Sequence, residues 1–194
     1  NDMKRIFFFF LLGVLFAGNA QTFAQELSPE RKQAVDSLAL EKVRDLSKYI
    51  KIVGSKETPW SEANRVIDRA EELFSPDAEI GVSSLSSNEV KYYKVRQYLE
   101  RLMRLNYDRV EIDWYKIEYV SDLQRQPDGT YVGVITVFQT FKGYDKEGRL
   151  IYQDATKKDI TVYVKRKETQ IGGRTIGFWD VLLGDMRVKE TARN

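Results

Sequence analysis

Asp154 and Asp180 are the two residues whose type and surroundings best suit proton transfer. Asp180 follows Trp179 in an otherwise apolar stretch and shares its alternation with Phe178 and Leu182. Asp154 stands two residues from Tyr152, and Asp113, beside Trp114, is a third candidate. A carboxylate on an apolar inner face has its pKa raised, which suits a general base. The competing expectation for any strand carboxylate is the solvated face, or a pairing with Lys or Arg. The chain of 194 residues contains no His and no Cys. Ser-His-Asp and Cys-His triads are therefore excluded, as are disulfides and the usual zinc, copper and haem ligand sets. No metal site and no cofactor are expected. Asp145-x-Glu147 is too sparse for a calcium loop.

An aromatic set of Trp114, Tyr115, Tyr119, Tyr131, Tyr152, Tyr163, Phe178 and Trp179 can line an apolar pocket with polar tips. Trp114, Tyr119, Tyr152, Tyr163 and Trp179 are its ligand-binding candidates, suited to a small hydrophobic molecule, a peptide or a glycan. Aromatics are also favoured in strands and fill cores, and that role competes for the same residues. Lys157-Lys158 and Lys165-Arg166-Lys167, with Arg174 across a turn from the second, form basic clusters. Lysines on exposed strands protect sheet edges, which is the expected role here. Only Tyr163 interleaves with them, so nucleic-acid binding is not expected.

Three helices and a run of strands must position these groups. Val35, Leu38, Leu46, Tyr49, Ile50 and Val53 recur at helical steps, and Gly54 ends the first helix. Thr58-Pro59 opens a second, with Ala63, Val66, Ile67, Ala70, Leu73 and Phe74 on one face before Ser75-Pro76. Ala78 to Val82 forms a short strand. Ser86-x-x-Glu89 reads as a capping box for a third helix carrying Tyr92, Val95, Leu99, Leu102 and Met103. The period then falls to two. Val110, Ile112 and Trp114 alternate with acids, and the parity flips to Tyr115, Ile117 and Tyr119, which predicts a β-bulge. Tyr131 to Phe141 is apolar on both faces, Leu150 to Arg166 is a long strand bent at Lys157-Lys158, and Ile176 to Val188 is the last strand. Gln126-Pro127-Asp128-Gly129, Gly143 to Gly148 and Gly172-Gly173 supply the turns.

Met3-Lys4-Arg5, the apolar run Ile6 to Ala17 and the small residues up to Ala24 follow the order of a secretory signal peptide, with cleavage expected after Ala24 and after Ala20 as the alternative. The apolar run is about half of the roughly 20 residues a bilayer span requires. The expected product is an exported periplasmic or secreted protein with no membrane span. Removal of residues 1–24 changes the formal net charge of +2 by one unit, leaving no long-range field for DNA or an acidic membrane. The expected division is a signal at 1–24, a flexible leader at 25–34, one domain over 35–190 and a disordered tail at 191–194.

This order of elements resembles the NTF2-like superfamily, also called cystatin-like or SnoaL/ketosteroid-isomerase-like. Leu73-Phe74-Ser75-Pro76-Asp77-Ala78-Glu79-Ile80 is similar to the family's helix end followed by Asp-Ala and the first strand. Gly177-Phe178-Trp179-Asp180-Val181 is a looser match. The resemblance implies an α+β fold: an NTF2-like cone, with three N-terminal helices packed on a curved, mainly antiparallel sheet. It also implies a pocket at the open end. Members include isomerases, dehydratases and cyclases as well as non-catalytic modules, and fold alone does not choose between them. Without a catalytic dyad, the first expectation is a non-catalytic module. It would bind an envelope protein or a small hydrophobic or glycan ligand, and it could form a homodimer through the sheet face. The alternative is an isomerase or cyclase using a pocket Asp as base. A true cystatin role lacks its Gln-x-Val-x-Gly loop.

Overall fold

The structure, a computed structural model, describes residues 26–192. The expected signal at 1–24 and the last two residues of the expected tail lie outside the described residues. Helix α1 spans Pro29–Gly54 and starts earlier than the apolar periodicity indicates. Its signal is local. Ser28 is the N-cap and accepts the Arg31 N–H at 3.3 Å, Pro29 has its φ preset, and Glu30 faces the positive helix end. Most of the expected leader at 25–34 is therefore helical. The buried stripe of α1 is Val35, Ala39, Val43, Leu46, Ile50 and Val53, while Leu38 is exposed. Helix α2, Trp60–Glu71, buries Ala63, Val66, Ile67 and Ala70. Phe74 then bridges to Leu183, and the Leu183 N–H donates to the Leu73 carbonyl at 2.8 Å, which ties the helix end to the sheet.

Strand β1, Glu79–Ser84, and strand β2, Ser87–Lys94, form an antiparallel hairpin running from Glu79↔Lys94 to Ser84↔Ser87. The capping box at Ser86 and Glu89 is not formed. Val90, Tyr92 and Tyr93 are strand formers, and pairing with β1 outweighs the local helix signal. Helix α3 is correspondingly short, Val95–Met103, with Gln97 accepting the N–H of the N-cap Lys94. A hairpin thus separates α3 from the other two helices.

Strands β3 (Arg109–Arg125), β4 (Tyr131–Tyr144), β5 (Leu150–Ile171) and β6 (Arg174–Ala192) are antiparallel neighbours. β1 joins β6 in parallel at Ile80↔Met186, so the sheet order is β2-β1-β6-β5-β4-β3. The parity flip in β3 is a register shift between Tyr115 and Glu118, with Lys116 at a φ of 52°. β5 shifts register against β6 between Lys157 and Lys158, where a bend is expected. The expected frayed tail from Lys189 is instead paired as far as Ala192, opposite Ala155.

The helices cover one face of the sheet. Leu46, Ile50, Ile67 and Leu99 meet Ile135, Ile160, Leu183 and Met186 in one core. Tyr131, Ile135, Val137 and Phe141 point into this layer, so they do not form an open face that a second copy must cover. Beyond Val164, the end of the β4 pairing, β5 and β6 continue as an exposed two-stranded ribbon. Among the described residues, no helix is long and apolar enough to cross a membrane.

Candidate functional site

Period two decides which side chains of β5 face the helices. Ile160, Val162 and Val164 are fully buried in the core. Counting back along the same face gives Lys158, Thr156, Asp154 and Tyr152. The inward face of a central strand thus changes from apolar to polar, and a cavity of about 350 Å³ opens over the polar part. The β1–β2 hairpin and α3 form its opposite wall, with Tyr98 and Leu102. Ile112, Gln139 and Phe141 complete the floor, and Tyr107 stands at one side.

Asp154 is 5% exposed. Its Oδ2 accepts the Tyr152 hydroxyl at 2.6 Å, while Oδ1 is buried without a hydrogen-bond partner among the described residues. Burial pushes the carboxyl above its ordinary range, and the Tyr152 hydrogen bond and the Lys158 charge only partly oppose this. The Tyr152 hydroxyl in turn accepts the Leu85 N–H at 3.3 Å, which fixes its donor direction towards Asp154. Tyr152 is pushed up to about 12, by burial first and then by the Asp154 hydrogen bond. Lys158 is 3% exposed, and burial pushes it down to about 8 against the attraction of Asp154. Its ammonium lies 5.5 Å from the centre of the Tyr98 ring. Burial also raises Tyr98 and Tyr107, the latter with a contribution from the Asp154 charge.

The aromatic wall is ordered by packing. Tyr107 and Phe141 meet edge to face at 5.8 Å, as do Phe141 and Tyr152 at 5.8 Å. Gly143 makes room for this, because a Cβ there would lie 2.5 Å from the Tyr107 ring. Gly143→Ala is expected to displace Tyr107 and cost about 1–3 kcal/mol, the usual range for overpacking. Urea unfolding would read the loss, and an unchanged midpoint would refute the account of this wall.

The other expected site residues lie elsewhere. Asp180 does share a face with Phe178 and Leu182, but that face is turned away from the cavity. It pairs with Lys167 at 2.6 Å. Asp113 is exposed and pairs with Lys51 of α1 at 2.8 Å. Trp114 donates from Nε1 to Gln139 Oε1 at 2.8 Å and is not among the residues that line the cavity. Tyr119 donates to the Asp36 carbonyl of α1 at 3.4 Å. Trp179 packs edge to face on Tyr131 at 5.7 Å, away from the cavity lining. Tyr163 is on the opposite face of β5 beside Gly184, so of the aromatic candidates Tyr152 alone is a lining residue of this cavity.

Lys158 is a correction of a different kind. Its expected role was edge protection in a basic pair, yet it is buried in an interior strand. Alternation carries its signal: it continues the parity of Ile160, Val162 and Val164. Asp145 accepts the N–H groups of Glu147 and Arg149 and pairs with the Arg149 side chain, so its carboxylate closes a turn. Among the described residues no cluster of three or more His, Cys, Asp or Glu could hold a metal ion.

No family model matches this sequence, and no curated protein matches it. The fold is similar to those of solved structures. One is a candidate scytalone dehydratase from Novosphingobium aromaticivorans, at 13% identity over 85% of this chain and 91% of that one, with a TM-score of 0.43. A hexachlorocyclohexane dehydrochlorinase, LinA type 2, matches at 13% identity over 85% and 93%, with a TM-score of 0.41. ActVI-ORFA from Streptomyces coelicolor matches at 12% identity over 80% and 96%, with a TM-score of 0.42. All three have NTF2-like folds. The likeness is one of fold alone.

Proposed function

We propose that this protein is an exported enzyme of the isomerase or cyclase type, in which Asp154 removes a proton from carbon beside a carbonyl. The substrate is a small, largely apolar molecule held at the open end of an NTF2-like cone. One observation carries the reading. A carboxylate 5% exposed, with a partnerless oxygen, lines a cavity whose other groups are mostly apolar or aromatic.

A buried carboxylate kept only for structure would be expected to have both oxygens satisfied. Here one oxygen is held by Tyr152 and the other, among the described residues, by nothing. The desolvation that this costs also raises basicity, which is what a general base working near neutral pH requires. Lys158 supplies positive charge to the same cavity, and a developing enolate is stabilised by such a charge. These features favour the catalytic reading over a non-catalytic binding module.

The test is exchange of the α-protons of cyclohexanone and other small cyclic ketones for solvent deuterium, followed by NMR. The expected result is exchange by the wild-type protein well above that of Asp154→Asn. Equal rates for the two proteins would remove the proposal.

A further inference from the structure

We propose that Lys158 is an amine nucleophile that condenses with the carbonyl of a small aldehyde or ketone in the cavity, with Asp154 moving the protons. This rests on the proton-transfer reading above and adds a covalent step to it.

The geometry sets Lys158 apart from the other lysines. Lys51, Lys94 and Lys167 each hold a carboxylate at the surface. Lys158, among the described residues, holds none and lies in the cavity lining. It shares the inward face of β5 with Asp154, one inward position beyond Thr156. The two do not pair directly, because Asp154 Oδ2 is taken by Tyr152 and Oδ1 is partnerless. A substrate can therefore sit between an amine and a carboxyl group that remain separate. The titratable groups facing Lys158 are Tyr98 from α3, Tyr107 ahead of β3, and Tyr152 and Asp154 from β5. Among these groups the Asp154 charge is the one that opposes the effect of burial on Lys158, and burial is the larger of the two, so the amine is easily deprotonated.

The step balances without an added co-reactant. The neutral Lys158 amine attacks the carbonyl carbon, and a C–N bond forms as the C=O π pair moves to oxygen. A proton passes from nitrogen to that oxygen and gives the carbinolamine. Asp154, carrying the proton given up when the Lys158 ammonium became the neutral amine, then donates to the hydroxyl, the C–O bond breaks and water leaves. The nitrogen lone pair forms the C=N bond of an iminium ion. Asp154, now a carboxylate, takes the proton from the adjacent carbon, and the C–H pair becomes the enamine. The iminium is a stronger electron sink than the free carbonyl, so this route lowers the demand on the base.

The experiment is reductive trapping. The folded protein is incubated at neutral pH with cyclohexanone and sodium cyanoborohydride, and the adduct is located by peptide mass spectrometry. At neutral pH Lys158 presents on the order of a hundredfold more neutral amine than a surface lysine. One dominant adduct on Lys158 is expected, absent from Lys158→Arg, whose fold is checked by circular dichroism. An adduct spread over Lys165, Lys167 and Lys189 with Lys158 unmodified would overturn the inference.

Deuterium exchange separates the two readings. If exchange depends on Asp154 but is unchanged in Lys158→Arg, the base stands and the amine nucleophile falls. If Lys158 is trapped without Asp154-dependent exchange, the amine stands and the role given to Asp154 falls.

Discussion

Lys158→Met is expected to stabilise the folded protein at pH 7 by about 3 kcal/mol, the equivalent of the displacement of Lys158 from its ordinary pKa to about 8. The reason is burial. At pH 7 an ammonium with that pKa is still mostly charged, and it is held in a site where water has been replaced by Tyr98 and Leu102. Met has similar length and no charge, so it fills the space without the desolvation cost. The sign of the pH dependence follows. A Lys whose folded pKa is lowered binds fewer protons in the native state than in the unfolded state between about 8 and the ordinary value of 10.5. Wild-type stability from this group therefore rises with pH through that window and is constant, at its lowest, below it. The advantage of Lys158→Met should be greatest below pH 8 and shrink as the pH approaches 10.5. Urea unfolding of both proteins at pH 7 and pH 10 measures it. A destabilised variant at pH 7, or a gap that does not narrow, would show that Lys158 is not held at a desolvation cost.

The same residue shows what one-dimensional pattern does and does not convey. Alternation states which residues share a face; it does not state which face is inward. Asp180 does share parity with Phe178 and Leu182, and all three turn away from the helices. Asp154 belongs to the opposite set, and Ile160, Val162 and Val164 identify that set as the core. The long strands, the turns between them and the bulge after Trp114 were all legible, because period two and turn residues are local signals. The β1–β2 hairpin was not. Ser86 and Glu89 have helix-start chemistry, and only the partner strand, supplied by Glu79 to Ser84, makes residues 87–94 a strand. That hairpin and the shortened α3 form one wall of the cavity. The cavity is therefore not legible from local signals, because one of its walls depends on that non-local pairing, whereas Asp154 and Tyr152 on the other wall are.

Asp154→Asn should separate stability from activity in opposite directions. The carboxyl of Asp154 is held above its ordinary range by burial, so the native state binds its proton more tightly than the unfolded chain does. Stability from this group is present at low pH and is lost as pH rises through the window between its ordinary and its raised value. At neutral pH, above the ordinary carboxylate range, the wild type carries this cost and Asn does not. Asn also keeps an oxygen to accept the Tyr152 hydroxyl, so the contact now at 2.6 Å can persist. The variant is therefore expected to melt above the wild type at pH 7, with the gap closing towards pH 4. Its ketone α-proton exchange should fall by about 10²–10⁴-fold, the usual contribution of a positioned general base. A higher melting temperature rules out misfolding as the cause of that loss. Such a trade arises where a buried group is retained for its chemistry and not for its packing. A variant that melts lower and exchanges as fast as the wild type would contradict both halves of the argument, leaving Asp154 a structural carboxylate.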